Sequence, residues 1–136
     1  MTRSLLIATA MFALATPVLA EGDAAKGESE FKKCKSCHAI ESADASIVKG
    51  GKTGPNLFGV IGRTAGTAEG FAYGDDMVKA GAAGLVWTQE ALAEYVEDPK
   101  AFLQETLGDG AAKSKMTFKL KKGGEDVAAY LATFSN

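Results

Sequence analysis

Five consecutive residues, Cys34-Lys35-Ser36-Cys37-His38, carry the densest chemistry in the chain: two thiols and an imidazole. At the spacing Cys-x-x-Cys-His, two thiols can add to the vinyl groups of one haem c, and the adjacent imidazole can coordinate its iron from one face. His38 is the only histidine in the sequence, so an imidazole ligand has to be His38. Other chemistries share part of this spacing. A dithiol can cycle as a redox disulfide, but such pairs usually follow a strand in a βαβ pattern, and none is visible. A structural zinc site takes four protein ligands; two Cys and one His fall one short before any carboxylate is recruited. A plain disulfide in an oxidising compartment leaves His38 unexplained.

If a haem is held from one face by His38, the second axial position falls to a soft ligand or stays open. Beyond residue 20 the methionines are Met77 and Met116. Met77 falls in a short helical pattern and reads as packing, with ligation as its fallback. Met116 lies in Lys113-Ser114-Lys115-Met116-Thr117-Phe118-Lys119, a loop-like stretch where a thioether has little packing purpose. It is the expected sixth ligand. A ligating histidine normally donates its other ring N–H to a carbonyl or carboxylate. The Pro55 carbonyl in Thr53-Gly54-Pro55-Asn56-Leu57 is the candidate acceptor, although taken alone that stretch is an ordinary Gly-Pro turn. Phe71, Tyr73 and Trp87 have large apolar bodies, and a buried Tyr or Trp seeks a polar partner. Haem propionates would supply one; without haem these three are ordinary core.

The elements that must position these groups are mostly helical. Asp23 caps a first helix with Ala24, Gly27, Phe31 and Cys34 at helical spacing. Gly27 inside that helix calls for close approach of another helix. Residues 39–70 are loop-rich and need a body to pack against. Thr88 caps a helix with Leu92, Tyr95 and Val96 on its apolar stripe, and Asp98-Pro99 ends it and opens a short helix through Phe102 and Leu103. A last helix from Gly123-Gly124-Glu125 carries Val127, Tyr130, Leu131 and Phe134. Its expected partner is the first helix, with Tyr130 crossing near Gly27. The sequence predicts no strand.

Residues 1–20 have the pattern of a secretory signal peptide: Arg3, an apolar run from Leu5 to Ala15, Pro17, and Val18-Leu19-Ala20 at the cleavage point. Cleavage after Ala20 leaves one domain, 21–136, located in the periplasm and free of any further membrane-length apolar run. Losing Arg3 from the 15 basic residues leaves 14 against 17 acidic ones, a net charge of −3, which excludes a nucleic-acid binder by bulk charge. The charges are unevenly spread. Residues 113–122 hold five lysines and no acid, whereas 64–112 are strongly acidic, so the molecule should carry an electrostatic dipole.

Taken together, Gly27, Phe31, the CKSCH motif, TGPNLFGVIGR, GFAY, Trp87, Tyr95 to Pro99, Met116-Thr117-Phe118, Tyr130 and Leu131 resemble the class I cytochromes c, and within them the bacterial cytochrome c2 group. The resemblance spans the chain after residue 20. It implies an all-α cytochrome c fold: three main helices, short helices and long loops wrapped around one covalently bound haem c. It also implies Cys34 and Cys37 as thioether donors, His38 and Met116 as axial ligands, and Pro55 as acceptor from His38. Arg63, Tyr73 and Trp87 would lie near the propionates, Tyr95 would approach the methionine sulfur, and Phe118 would cover the haem edge. The chain departs from the shorter mitochondrial pattern by extra length around Ala43–Gly51 and Gln104–Lys113, and by Gly74, which has no hydroxyl to offer a propionate.

Both axial positions filled means an electron carrier rather than an enzyme, cycling Fe(II)/Fe(III). Lys33, Lys35, Lys49, Lys52, Lys113, Lys115 and Lys119 flank the two segments expected to meet at the haem edge. A positive rim there would steer a monomeric carrier onto acidic patches of membrane complexes. The resemblance names a cytochrome bc1 complex as donor and a photosynthetic reaction centre, terminal oxidase or denitrification enzyme as acceptor. Two other functions fit parts of the sequence: a haem-based gas sensor or enzyme with an open sixth site, and a haem-free dithiol redox protein.

Overall fold

Asp23 starts the folded chain by turning its carboxylate onto the amides of Ala25 and Lys26, which caps helix α1 (Ala24–Glu30). The computed structural model describes residues 22–135; the signal peptide expected over residues 1–20, and its cleavage point, lie outside them. The helix expected to reach Cys34 keeps α geometry only to Glu30 and then tightens into a 3-10 turn, Phe31–Lys33. That turn delivers Cys34 at its end, and His38 N bonds back to Cys34 O at 3.0 Å.

Helix α5 (Gly124–Ala132) crosses α1 at Gly27. A methyl group at Gly27 would run into the Asp126 carbonyl and the Tyr130 Cβ, so glycine is what lets the two backbones meet. Alongside, the Phe31 and Tyr130 rings pack with centroids 5.7 Å apart. The crossing is the expected one.

Between these helices lie α2 (Asp75–Ala82), α3 (Gln89–Glu97) and α4 (Pro99–Leu107). Thr88 Oγ1 caps α3 by accepting from Ala91 N at 3.1 Å. Asp98 ends α3 and caps α4 through Ala101 N at 3.1 Å, with Pro99 in the first turn. α3 packs on α5 and α4, and α4 on α2. Each of these helices is nine residues long or shorter. Helices of that length are marginal alone, so shared packing must stabilise them.

The expectation of no strand is corrected. β1 (Ile40–Glu41) and β2 (Ser46–Val48) pair antiparallel, Ile40 opposite Val48 and Glu41 opposite Ser46. Thr64 and Val86 form an isolated bridge. Two or three residues are too few to show the alternation that marks a strand. The hairpin turn is organised by Ser42, whose N–H donates to Ala45 O at 2.8 Å while its Oγ accepts from Ala45 N at 3.0 Å. The chain returning from β2 then lies on the Cys34–His38 turn: Gly51 N donates to Lys35 O at 2.9 Å and Gly54 N to Cys37 O at 2.8 Å. Among the described residues no helix is long and apolar enough to cross a membrane.

Candidate functional site

The 3-10 turn, the 53–63 loop, α2, α3 and the 113–118 segment enclose one cleft of about 280 Å³. That is several times the roughly 30 Å³ a water molecule occupies, so the space is a site and not a packing gap. Cys34, Cys37 and His38 line it from one side of the chain, and Met116 and Phe118 enter from the C-terminal segment. Pro55, Arg63, Tyr73, Trp87 and Tyr95 also line it. Met77, read from sequence as packing, is buried and reaches the same cleft.

His38 Nδ1 lies 2.8 Å from Pro55 O and donates to it, since a carbonyl can only accept. The remaining ring nitrogen, Nε2, then carries the lone pair. Burial holds the imidazole below its ordinary 6.5, partly offset by the Pro55 hydrogen bond, so at neutral pH it is the uncharged, ligand-competent form. Gly54 seats the ring: a Cβ there would overlap the imidazole atoms. Asn56, whose part the sequence did not reveal, fixes this loop by clamping Glu41. Its Oδ1 accepts from Glu41 N at 3.0 Å and its Nδ2 donates to Glu41 O at 2.7 Å.

Burial, reinforced by Glu30, pushes the Cys34 thiol up to about 11. Reactive Cys-x-x-Cys pairs have the opposite property, a depressed thiol. No three His, Cys, Asp or Glu side chains among the described residues gather as a metal-ion site, so the zinc arrangement has no ligand set.

The polar groups expected near the propionates have protein partners. Arg63 Nη2 donates to Asn56 O at 3.1 Å, and burial lowers its pKa against the opposing pull of Tyr73. Tyr73 Oη accepts from Ala68 N at 3.1 Å. Trp87 is held through its backbone, which pairs with Gly62 N and Arg63 O. Its ring joins Tyr95 and Phe102 in a three-ring cluster with centroids 5.0 to 6.0 Å apart. Tyr95 lines the cleft together with Met116, and its hydroxyl pairs at 3.4 Å with Ser114 Oγ, two residues before Met116.

The expected lysine rim divides. Lys33 pairs with Glu30 and Lys119 with Asp98, each at 2.6 Å. Lys115 lays its stem against Gly74 and donates to Ala72 O at 3.0 Å. Lys35, Lys49, Lys52 and Lys113 are exposed, with no ion pair among the described residues. Phe118, 44% exposed, stands at the mouth of the cleft.

The donor set suits a covalent haem. A neutral imidazole, a thioether and two thiols face one cleft, and no charged side chain is buried among the described residues. No protein-family model matches the chain. Curated relatives do match. A cytochrome c-551 of Roseobacter denitrificans is 61% identical over 136 residues, covering 99% of this chain and 97% of that protein. A cytochrome c2 of Rhodobacter capsulatus is 62% identical over 125 residues, covering 91% and 90%. The solved structure of Rhodobacter capsulatus cytochrome c2 matches with a TM-score of 0.81 at 64% identity, covering 82% of this chain and 97% of that one. Ferric cytochrome c-550 from Paracoccus versutus matches with a TM-score of 0.82 at 55% identity, covering 85% and 100%.

Proposed function

Because the chain belongs to the bacterial cytochrome c2 group of class I cytochromes c, we propose that it is a soluble periplasmic electron carrier, exported by residues 1–20 and folded as one domain over 21–136. Cys34 and Cys37 would hold one haem c through thioether bonds, and that group would supply reversible one-electron chemistry. His38 would hold the iron through Nε2, with Nδ1–H kept on the Pro55 carbonyl. Met116, which lines the same cleft, would hold the iron through its thioether. Two protein ligands leave no site for a gas or substrate, which separates a carrier from a sensor or enzyme. A neutral thioether opposite an imidazole raises the potential relative to other axial pairs. The mainly apolar wall of the cleft and the half-buried Arg63 guanidinium that lines it act in the same direction by disfavouring the more positive oxidised state.

The observation that carries this reading is the convergence of both thiols, the sole imidazole and Met116 on one apolar cleft. Partners are membrane complexes, with a cytochrome bc1 complex as donor and a photosynthetic reaction centre, oxidase or reductase as acceptor. They dock transiently at the exposed edge beside Phe118. Lys35, Lys49, Lys52 and Lys113, exposed and without an ion pair among the described residues, are the positive charges that would steer docking. A potentiometric titration of the holoprotein tests the carrier function: one reversible one-electron wave is expected. Several electrons per chain, or a wave belonging to the thiols, would overturn it.

A further inference from the structure

The backbone that carries Met116 is hydrogen-bonded at two points, and between them the segment is held, among the described residues, only through side chains: Ser114 Oγ with Tyr95 Oη at 3.4 Å, Lys115 Nζ on Ala72 O at 3.0 Å and Lys119 Nζ on Asp98 Oδ2 at 2.6 Å. On the far side, Leu120 N donates to Val96 O of α3 at 2.7 Å. On the near side, Lys113 N donates to Asp76 Oδ2 of α2 at 2.8 Å, across 37 positions of sequence. Among the described residues, no backbone N–H of residues 114–119 has a protein acceptor. The preceding turn is already ordered when it reaches Lys113, because Gln104 Nε2 of α4 donates to Gly110 O at 2.9 Å and to Ala112 O at 3.4 Å.

Asp76 has both oxygens engaged. Oδ1 accepts from Lys79 Nζ at 2.9 Å, one helical turn on, while Oδ2 serves Lys113. Its side chain is only 17% exposed. The neighbouring Asp75 is exposed and makes no side-chain hydrogen bond among the described residues. A carboxylate receiving an ammonium and a backbone N–H makes charge-assisted bonds, stronger than neutral ones.

We propose that Asp76 is a positioning residue for the Met116 ligand: its carboxylate anchors the start of the ligand segment to α2 and so sets how readily the thioether leaves the iron. This rests on the reading of Met116 as axial ligand. Lys79 acts one step back, by holding the Asp76 carboxylate in place. Loss of the anchor leaves the start of the ligand segment held only by the exposed or weak side-chain contacts of Ser114 and Lys115, and loosens it without unfolding the α1–α5 pair, which is built on other contacts.

The test is imidazole titration of the ferric holoprotein, with the weak red methionine-to-iron band and the thermal midpoint recorded for each variant. Asp76→Ala should bind imidazole about tenfold more tightly than the parent, the effect of losing roughly one charge-assisted hydrogen bond. Asp76→Asn, whose amide oxygen can still accept from Lys113 N, should fall between them, and it carries the test if the alanine variant does not mature. Asp75→Ala should match the parent. An unchanged imidazole affinity in both Asp76 variants, with the red band present in the parent, overturns the anchor, as does a lowered thermal midpoint with parental affinity. A parent without the red band, whose affinity Met116→Ala leaves unmoved, overturns the ligand reading instead, and the anchor with it.

Discussion

The carbonyl oxygen of Pro55 lies 2.8 Å from Nδ1 of His38, the chain's only imidazole. One hydrogen bond thereby settles which nitrogen is left to bind and which way the ring faces. The neighbouring residue has to be small for this to hold, since a Cβ on Gly54 would overlap the ring. Gly54→Ala should therefore displace His38, destabilise the protein by about 1–3 kcal/mol as overpacking does, and lower the haem content per chain. Thermal unfolding and haem quantification check it; parental values in both would show the seat to be loose.

Gly27→Ala isolates the helix crossing. Helix propensity alone predicts a gain of roughly 1 kcal/mol. The Asp126 carbonyl and Tyr130 Cβ stand where the methyl would go, so the expected outcome is a net loss of about 1–3 kcal/mol. A denaturant midpoint that rises instead would mean α1 and α5 can part without loss.

Acid should weaken the fold in a defined direction. The Lys119 hydrogen bond, then the Ala101 amide, hold the Asp98 carboxyl below its ordinary 3.8. A native value below the unfolded one means that the stabilisation is complete above about pH 4 and fades as pH falls through the native value. Asn keeps the cap to Ala101 but removes the charge. Asp98→Asn should thus flatten the fall of the urea midpoint as the pH drops below about 4. A slope as steep as the parent's would place the acid sensitivity elsewhere.

Much of this molecule is legible in its sequence because covalent and helical chemistry have short periods. Cys34, Cys37 and His38 identify themselves within five residues, and the caps at Asp23 and Thr88 stand next to the helices they start. The groups that stay hidden act across the chain. Asp76 meets Lys113 from 37 positions away and Lys119 meets Asp98 from 21, and no local pattern records either pairing. The hairpin β1–β2 is hidden for the opposite reason, being too short to show a period. Counting lysines near the two segments also overstates the free charge, because the acids that neutralise Lys33 and Lys119 are visible only in space.

Docking should follow the unpaired lysines rather than the whole set. Lys52→Glu should slow reaction with the membrane partner severalfold at low salt, while Lys26→Glu, paired with Asp23 at the start of α1, should change it little. The difference should vanish near 1 M salt, where the screening length is about 3 Å. Stopped-flow rates across ionic strength measure this; salt-independent rates would remove electrostatic steering.

The measurement that bears most directly on the whole account is the visible spectrum of the holoprotein matured in a periplasm, first oxidised and then reduced. Ligation by His38 and Met116 predicts sharp low-spin bands on reduction and a weak red methionine-to-iron band in the oxidised form, lost in Met116→Ala. A haem spectrum without that red band would take Met116 off the iron and open the sixth site to a sensor or enzyme. Absence of haem would return Cys34 and Cys37 to a dithiol pair and contradict the account outright.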